Sequence, residues 1–317
     1  MTRRGIRTIA LAAALLAFGG CGQEFSLPPQ PEPGRIPTPG TYNLDRIWQV
    51  PSPTDVIVQG SYLFVVEQRE RVSVYLSHHV TPRPPGFIEP YEGLIRPVQV
   101  CLAKRDSTFL FVADEGDRMI KRYYFRGGPP LHAFTDTAWV EISGIAADHE
   151  LNVYVADAAR DTVYKYDDRG EPVRLVSDYG TGFGFVIDPH GMRYNDDRLW
   201  VADTGKDYVQ ALLPDSTNTA DDRAGPIGGP EMILGPYDVD TDLAGETVFV
   251  ADTGNDQVLR FEATGALRDT VYSHAKWETR AVDPPLTSIR HVAADDSLVF
   301  LPDSANDRIV ILRLATQ

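Results

Sequence analysis

Pairs of acidic side chains recur along the chain at one fixed spacing. Four of these pairs consist of an Asp and a second Asp four residues later: Asp157 with Asp161, Asp203 with Asp207, Asp252 with Asp256, and Asp303 with Asp307. Two neighbouring carboxylates can exchange a proton with a substrate or bind a cation. An active site is normally a single place in a fold, however, whereas these pairs return at regular intervals. We therefore interpret them as turn structure.

Other motifs that would indicate a cofactor are incomplete. The stretch "DVDTDLAGE", which starts at Asp238, begins like a calcium-binding loop. It has no Gly at the sixth position, and its twelfth position is Phe249 instead of Glu. The chain also has no nucleophile elbow, no phosphate loop and no metal-ligand spacing. From the sequence we expect no cofactor and no metal.

The acidic pairs belong to a longer phrase that the chain repeats. Residues 248–261 read "VFVADTGNDQVLRF", and similar phrases occur around the other marker residues. The markers are Asp114, Asp157, Asp203, Asp252 and Asp303, with Glu67 in a degenerate first copy. Successive markers are 43 to 51 residues apart. A period of about 40–50 residues with several strands per unit is typical of β-propeller blades, so six copies predict six blades.

Each copy can be divided into four short strands, the second of which ends at the marker Asp. We expect the side chains of Asp114, Asp157, Asp203, Asp252 and Asp303 to cap the following turn by accepting hydrogen bonds from its N–H groups. Gly116, Gly205 and Gly254 share one position in that turn. We expect a positive φ there, which glycine adopts at little cost.

The repeats resemble NHL repeats, which carry a "VAD" strand, a turn and an "rV" strand. The resemblance covers residues 45–317 and implies an all-β, six-bladed β-propeller with four-stranded blades. It implies no single activity, because this family includes binding modules and several enzymes. The last copy lacks a fourth strand, while "DRIWQV" (residues 45–50) precedes the first blade without a blade of its own. We expect this segment to be the outer strand of the last blade and to close the ring.

The N-terminus predicts export and anchoring. Residues 1–20 combine an arginine-rich start, a short apolar run and small residues, which is the pattern of a signal peptide. Its end resembles a bacterial lipobox, so we expect lipidation at Cys21. Residues 21–44 are rich in Pro and predict an extended linker. In Gram-negative lipoproteins an Asp after the lipidated Cys often signals inner-membrane retention. Gly22 therefore favours the outer membrane, and the route of export stays open.

Charge and cysteine content exclude several classes of protein. The formal net charge is −15 and the pI is about 4.8. An acidic surface repels phosphate backbones, which excludes nucleic acid as a partner. Contact with a membrane is expected through the lipid anchor only. Apart from Cys21 the chain has one cysteine, Cys101, so no disulfide framework is possible and Cys101 is interpreted as a small buried side chain.

The start of each blade's first strand is expected at the mouth of the central channel. Alignment of the copies on "GIAAD" places six pairs there: Thr54–Asp55, Arg96–Pro97, Ser143–Gly144, Phe183–Gly184, Gly235–Pro236 and Arg290–His291. The six-bladed amidating lyases, which this fold resembles, bind zinc through three His at the channel. Here only His291 qualifies, since His149 and His190 fall in turns that we expect on the opposite face. Related lactonases use acids and an Asn, which Asp55 and Asp238 match only in part.

Residues that break the symmetry of the repeat are the candidates for a binding site. Arg96, Arg290, His291 and Asp55 come from blades two, six and one, which are neighbours in a closed ring. Aromatic side chains on nearby loops complete the candidate ligand site: Phe183, Tyr237 and Trp277. Arginine beside aromatic rings suits a sugar, a peptide or a small anion. The alternative is that both arginines pair with Asp55 and simply fill the channel mouth.

Two functions remain open from the sequence. The first is a non-enzymatic lipoprotein of the bacterial cell envelope that binds a protein, a peptide or a glycan at the channel mouth. The second is a hydrolase or lyase acting in the channel, lactonase-like or amidating-lyase-like.

Overall fold

The structure, a computed structural model, describes residues 42–68, 70–77, 79–82, 90–216, 226–274, 284–286 and 288–315, with the backbone alone described for residues 79–82. The predicted signal peptide lies outside the described residues, as do Cys21 and Trp277. The first strand begins at Tyr42, slightly ahead of the boundary predicted at residue 45.

The described chain forms six antiparallel sheets of four strands each, which are the blades of a six-bladed β-propeller. Blade one consists of β2 (Pro53–Gln59), β3 (Tyr62–Glu67), β4 (Arg71–Leu76) and β5 (His79–Pro82). Blade two consists of β6 (Pro97–Lys104), β7 (Thr108–Asp114), β8 (Met119–Tyr124) and β9 (His132–Phe134). Blade three consists of β10 (Ile142–Ala147), β11 (Val153–Asp157), β12 (Thr162–Tyr166) and β13 (Pro172–Ser177). Blade four consists of β14 (Pro189–Asn195), β15 (Arg198–Asp203), β16 (Tyr208–Leu212) and β17 (Ile227–Gly228). Blade five consists of β18 (Pro236–Thr241), β19 (Thr247–Asp252), β20 (Gln257–Glu262) and β21 (Leu267–Ser273). Blade six consists of β22 (Ala293–Ala294), β23 (Leu298–Asp303), β24 (Arg308–Leu314) and, as its outer strand, β1 (Tyr42–Gln49). The predicted fold class is confirmed.

The second strand of each blade is its most buried element, and the sequence explains why. In β19 all six residues, "TVFVAD", are buried. Strands covered on both faces carry continuous runs of β-branched and aromatic residues, which pack well on a pleated surface. The described residues form six hydrophobic clusters, each with side chains from two adjacent blades. The core therefore lies between the blades.

The last blade is closed by β1, the first strand among the described residues, as predicted. β1 pairs antiparallel with β24 along its whole length, with Trp48 opposite Ile309. The Trp48 side chain is buried in the cluster that joins blades six and one. This pairing covers the edge that β24 would otherwise expose, and exposed edges invite pairing with other chains.

The marker Asp residues are fully buried, but most do not cap their own turns as the sequence predicted. They accept backbone hydrogen bonds at 2.7–3.2 Å from the loop that precedes the first strand of the same blade. The donor–acceptor pairs are Ile95 and Arg96 with Asp114, Val140 and Glu141 with Asp157, Ile187 with Asp203, and Leu234 with Asp252. The reason is that these loop N–H groups lie outside the strand ladders, and a buried unpaired N–H is costly.

One marker makes an additional contact, and another departs from this scheme. Asp114 also accepts a hydrogen bond from Gly116 N at 3.0 Å, so it does cap its own turn. Asp303 binds the side chains of Asn306 and Arg308, the latter at 2.7 Å from Nε to Oδ2.

The glycines after the markers are needed for close contact, and the predicted positive φ is not observed for them. A Cβ on Gly254 would lie 2.4 Å from the carbonyl oxygen of Leu234. A Cβ on Gly205 would lie 2.5 Å from Cγ2 of Ile187. The loop before the first strand therefore presses directly on this turn. The left-handed conformation falls two residues later, on the second Asp of each pair.

The second Asp of each pair links its blade to the next one. Each accepts a hydrogen bond at 2.7–2.8 Å from a backbone N–H that precedes the first strand of the following blade. The pairs are Asp161 with Asp188, Asp207 with Gly235, Asp256 with Ser288, and Asp307 with Ser52. In blade two Arg118 stands at this position and donates instead to the carbonyl of Trp139 at 2.7 Å. In three of the four pairs both carboxylates thus bind backbone, the first within its own blade and the second across to the next blade.

Candidate functional site

The first strands of the six blades surround a central channel that is narrow in the middle and wide at both ends. The middle, which we call the waist, holds about 40 Å³ and is lined by Asp55, Cys101, Arg193, Asp238 and Asp240 among others. At the starts of the first strands the channel widens into a mouth cavity of about 540 Å³, lined by Thr54, Gln99, Ser143, Tyr237, Arg290 and His291 among others. At their other ends lies a far cavity of about 380 Å³, which includes His149.

A β-bulge near the start of the first strand fixes which residues face the channel at one level. In blades one, two and five the register shifts just before Asp55, Gln99 and Asp238. Counting along the paired strands gives the equivalent residues in the other blades: Gly144, Gly191 and His291. A bulge re-aims a side chain at such a position. Three ionisable side chains therefore share one level of the channel, and Gly191 allows Asp238 to approach its backbone, since a Cβ there would lie 2.0 Å from Oδ1 of Asp238.

The structure corrects the predicted first strand of blade four. It starts at Pro189, and the predicted pair Phe183–Gly184 lies in the preceding loop. His190 is consequently in the first strand at the mouth, and its predicted position in a turn on the opposite face is wrong. The error arose because the loop contains a "GFG" stretch that resembles a strand start. In blades two and five the predicted pairs are two residues early, since Val98–Gln99 and Tyr237–Asp238 occupy those places.

Asp55, Asp238 and His291 form a buried trio between the waist and the mouth cavity. Nδ1 of His291 lies 3.2 Å from Oδ1 of Asp55 and 3.5 Å from Oδ2 of Asp238. The three donor atoms lie within 4.8 Å of one another. Burial by itself lowers the pKa of His291, but the two carboxylates outweigh it and raise that pKa to about 10.

Backbone N–H groups hold the two carboxylates of the trio in place. Asp55 accepts hydrogen bonds from Val56 N and from Val100 N, both at 2.8 Å, and Val100 belongs to the next blade. Asp238 accepts one from Val292 N of blade six at 3.0 Å. Burial raises the pKa of Asp238, which its hydrogen bonds and His291 only partly offset. Each carboxylate thus also ties its blade to its neighbour.

The two arginines of the predicted ligand site have different surroundings. Arg96 is exposed and pairs with Glu115 at 3.3 Å from Nε to Oε2. Arg290 lies over the ring of Tyr237, with its guanidinium carbon 4.9 Å from the ring centroid. Within the described part of the chain no carboxylate lies within salt-bridge distance of Arg290. Neither arginine pairs with Asp55, which contacts His291 instead.

Aromatic rings form one wall of the mouth cavity. His190 stacks on Tyr237 with centroids 4.1 Å apart, and Tyr237 meets His291 edge-on at 5.7 Å. Burial lowers the pKa of His190, against the opposing effect of Asp188, whose Oδ1 lies 3.2 Å from Nε2. Phe183, also predicted here, instead stacks against Tyr208 in the loop before β14. Trp277 lies outside the described residues.

The rim of the mouth carries exposed apolar side chains that the sequence reasoning missed. Ile95, Val140 and Leu234 precede the first strands of blades two, three and five, and are 60%, 53% and 48% exposed. Their own N–H groups bind the marker Asp residues. The backbone is therefore fixed while the side chain points outward. The sequence signal was an apolar residue two positions before the first strand in these three blades, where a polar residue would suit solvent better.

Comparison with known proteins supports the fold alone. No family model and no curated protein matches the chain. A structural genomics protein of unknown function from Bacteroides thetaiotaomicron is similar, with a TM-score of 0.60 and 12% identity over 86% of this chain and 72% of that one. A chain of a nidogen/laminin complex is similar with a TM-score of 0.55 and 17% identity, over 71% of this chain and 81% of that one. The computationally designed Ika8 protein is similar with a TM-score of 0.50 and 10% identity, over 83% of this chain and 71% of that one.

Among the described residues, no helix has the length and apolar character needed to cross a membrane.

Proposed function

We propose that the protein is a binding protein whose mouth cavity receives the carboxylate of a peptide segment from a partner protein. The observation that carries this proposal is Arg290, an exposed cation that rests on Tyr237 beside a cavity of about 540 Å³. Arginine can hold a carboxylate through two parallel hydrogen bonds. The guanidinium is already oriented by the ring beneath it, so little conformational entropy is lost when a ligand binds.

The rim supports a peptide over a glycan. Ile95, Val140 and Leu234 offer apolar surface around the cavity, and apolar surface next to a polar pocket is typical of protein–protein contact. A glycan would need hydrogen-bonding groups at those places. A peptide can lay apolar side chains on the rim while its carboxylate reaches Arg290.

Charges in the cavity limit what the ligand can carry. Glu141 lines the same cavity as Arg290, and Glu115 there is already paired with Arg96. The formal charge of the whole chain is −15. A polyanion would be repelled, whereas a single carboxylate placed at Arg290 would not. A C-terminal carboxylate or one acidic side chain fits this condition.

The anchor and the repeat family are part of the same proposal. The basic–apolar–small segment that ends at Cys21 supports lipidation there, and the "VAD" phrases support an NHL-type propeller. Strand order places Tyr42 at the end of the propeller opposite the mouth, because β1 runs from that end toward the start of β2. A tether joined at Tyr42 would leave the mouth free to bind. We propose a location in the bacterial outer membrane.

Peptide binding tests the function directly. Fluorescein-labelled tetrapeptides of Leu, Ile and Phe are prepared with a free C-terminal carboxylate and with a C-terminal amide. We expect binding of the free acids, and a weakening of roughly 10- to 100-fold for the amides or for Arg290→Gln, the size of a lost charge-assisted hydrogen bond. Arg96→Gln, on the same face but paired with Glu115, should bind like the wild type. Equal binding by Arg290→Gln, or none by any peptide, would contradict the proposal.

A second experiment tests the anchor. The variant Cys21→Ser is expressed and the cells are fractionated. We expect it to leave the membrane fraction, in which the unchanged protein should be found. A variant that still partitions with membranes would mean that something other than a lipid on Cys21 holds it.

A hydrolase or lyase is the second candidate, and one observation favours it. His291 sits between Asp55 and Asp238 beside the mouth cavity, where it could transfer a proton to a bound substrate. Turnover of lactones or peptidyl esters that is lost in His291→Gln but kept in Arg96→Gln would support this function over binding alone.

A further inference from the structure

We infer that Asp55, Asp238 and His291 bind a divalent transition-metal ion of the Zn²⁺ or Mn²⁺ type at the junction of the waist and the mouth cavity. This site is distinct from the Arg290 contact proposed above. It is assembled from three blades that are consecutive around the ring, five, six and one. The sequence gives no local metal motif for it, because its members are far apart along the chain.

The geometry of the three donors matches a shared ion. Nδ1 of His291 lies 3.2 Å and 3.5 Å from the two carboxylate oxygens. Ligands placed 2.0–2.2 Å from a tetrahedral ion are separated by roughly 3.4 Å. Neither contact of Nδ1 has hydrogen-bond geometry, so in the described structure this buried nitrogen has no hydrogen-bond partner. All three donor atoms lie within 4.8 Å of one another, which places them within reach of one ion.

A second unpartnered group lies at the same level. Oε1 of Gln99 is buried without a hydrogen-bond partner among the described residues, while its Nε2 donates to the carbonyl of Ser143 at 2.9 Å. Gln99 occupies the bulge position of blade two, next to Asp55 of blade one. It lines both the waist and the mouth cavity. A carbonyl oxygen there can accept a hydrogen bond from a water on the ion.

Charge balance also favours an ion. Two carboxylates meet in a site whose three residues are 5–9% exposed. A dication balances their two negative charges, which removes the cost of burying them uncompensated.

The donor set selects the kind of ion. An imidazole nitrogen suits Zn²⁺ and other transition metals, whereas Ca²⁺ and Mg²⁺ prefer oxygen alone. The carboxylates are oriented by the N–H groups of Val100 and Val292, as ligating carboxylates commonly are. Three protein ligands leave a further coordination position for water.

Metal titration of the full-length protein tests the inference. The protein is stripped with a chelator and titrated with ZnCl₂ or MnCl₂ in a calorimeter, without any peptide present. We expect one equivalent of either ion to bind and no comparable binding of Ca²⁺. The extended X-ray absorption fine structure of the Zn²⁺ complex should show one imidazole among oxygen ligands.

Variants distinguish this site from adventitious binding. Asp238→Asn and His291→Gln should each weaken binding by at least about 10-fold, and His291→Gln should remove the imidazole signature. Asp240→Asn is the matched control, because Asp240 is also buried and also binds blade six, through Ala294 N at 2.8 Å, but is outside the trio. It should bind the ion like the wild type.

Three results would overturn the inference: no stoichiometric binding by the stripped protein, an imidazole signature that persists in His291→Gln, or equal losses in Asp238→Asn and Asp240→Asn. Should His291→Gln fail to fold, the comparison of Asp238→Asn with Asp240→Asn, together with the Mn²⁺ electron paramagnetic resonance spectrum, still decides. Failure here leaves the peptide experiment intact, since that depends on Arg290.

Discussion

The side chain of Asp307 accepts a hydrogen bond from the backbone N–H of Ser52 at 2.8 Å, although 255 residues separate them along the chain. Beside this bond the Ser304 hydroxyl donates to the carbonyl of Pro53, and Val50 N donates to the carbonyl of Asp307 at 2.9 Å. The same Asp-to-backbone link joins blade three to four, four to five and five to six. The ring is therefore closed by the device that joins its ordinary neighbours, with β1 added.

Asp307→Ala should destabilise the protein by about 2 kcal/mol. Roughly half is the lost hydrogen bond and half is the cost of alanine in the left-handed conformation, since φ of Asp307 is 51°. Asp307→Asn should cost much less, because Asn can accept the same bond and tolerates this conformation. Urea unfolding measures both. Asp296→Ala, at an exposed position at the other end of β23, serves as the control, and equal stability of Asp307→Ala and Asp296→Ala would refute the proposed link.

A chain that begins at residue 52 should lose several kcal/mol, comparable to the whole stability of many domains. It lacks β1, exposes β24 along its length and uncovers the cluster in which Trp48 is buried. Thermal unfolding and light scattering provide the measurement. A chain that begins at residue 42 is the control and should match the full-length protein. Unchanged unfolding of the shorter chain would show that β1 does not contribute to closure.

Gly254→Ala should cost about 1–3 kcal/mol, although its φ is not positive, because the new Cβ would meet the carbonyl oxygen of Leu234 at 2.4 Å. Gly182→Ala is the control, since its Cβ would find only Phe185 at 3.5 Å. It should change stability by less than about 0.5 kcal/mol. Chemical denaturation compares the two. A neutral Gly254→Ala would mean that the loop before β18 can move away at little cost.

Two markers should give opposite pH dependences. Burial raises the pKa of Asp203 to about 6, so folding favours its protonated form, and its stabilising contribution is present below pH 4 and lost as pH rises through 6. Burial also acts on Asp114, but hydrogen bonds from Lys121 and from backbone N–H groups outweigh it and lower its pKa. Its contribution is therefore present above pH 4 and lost as pH falls.

Asn variants reveal these contributions through free energies of unfolding measured from pH 3 to pH 8. The free energy of unfolding of Asp203→Asn, relative to that of the wild type, should rise by up to about 3 kcal/mol between pH 4 and pH 6. Above pH 6 this difference should stay constant. Asp114→Asn should be less stable than the wild type above pH 4, and this difference in free energy of unfolding should disappear as pH falls below 4. Parallel curves for wild type and Asp203→Asn would show that the carboxyl titrates normally.

The number and order of the blades could be predicted from the sequence because each copy carries the same local signals. The marker Asp, the apolar strand before it and the β-branched residue after it are short-range features. The closing strand was also predictable, since "DRIWQV" had no blade of its own.

The level of each side chain in the channel was harder to predict. The hairpin between the first two strands differs in length from blade to blade, and the loop ahead of blade four imitates a strand start. His190 was misplaced for this reason. In blade five the channel-facing residue is Asp238, two places after the one predicted. The contact of His291 with Asp55 and Asp238 depends on three blades at once, so no local pattern encodes it.

The pairing of β1 with β24 has a consequence for synthesis of the protein. The other five blades separate the two strands along the chain, so the sixth blade can assemble only after the ribosome has released β24. Until then the growing chain carries β1 without its partner, and a product terminated before β24 could never close. Translation through β24 is thus a precondition for the ring, and a chain that is exported before it folds must complete this step on the far side of the membrane.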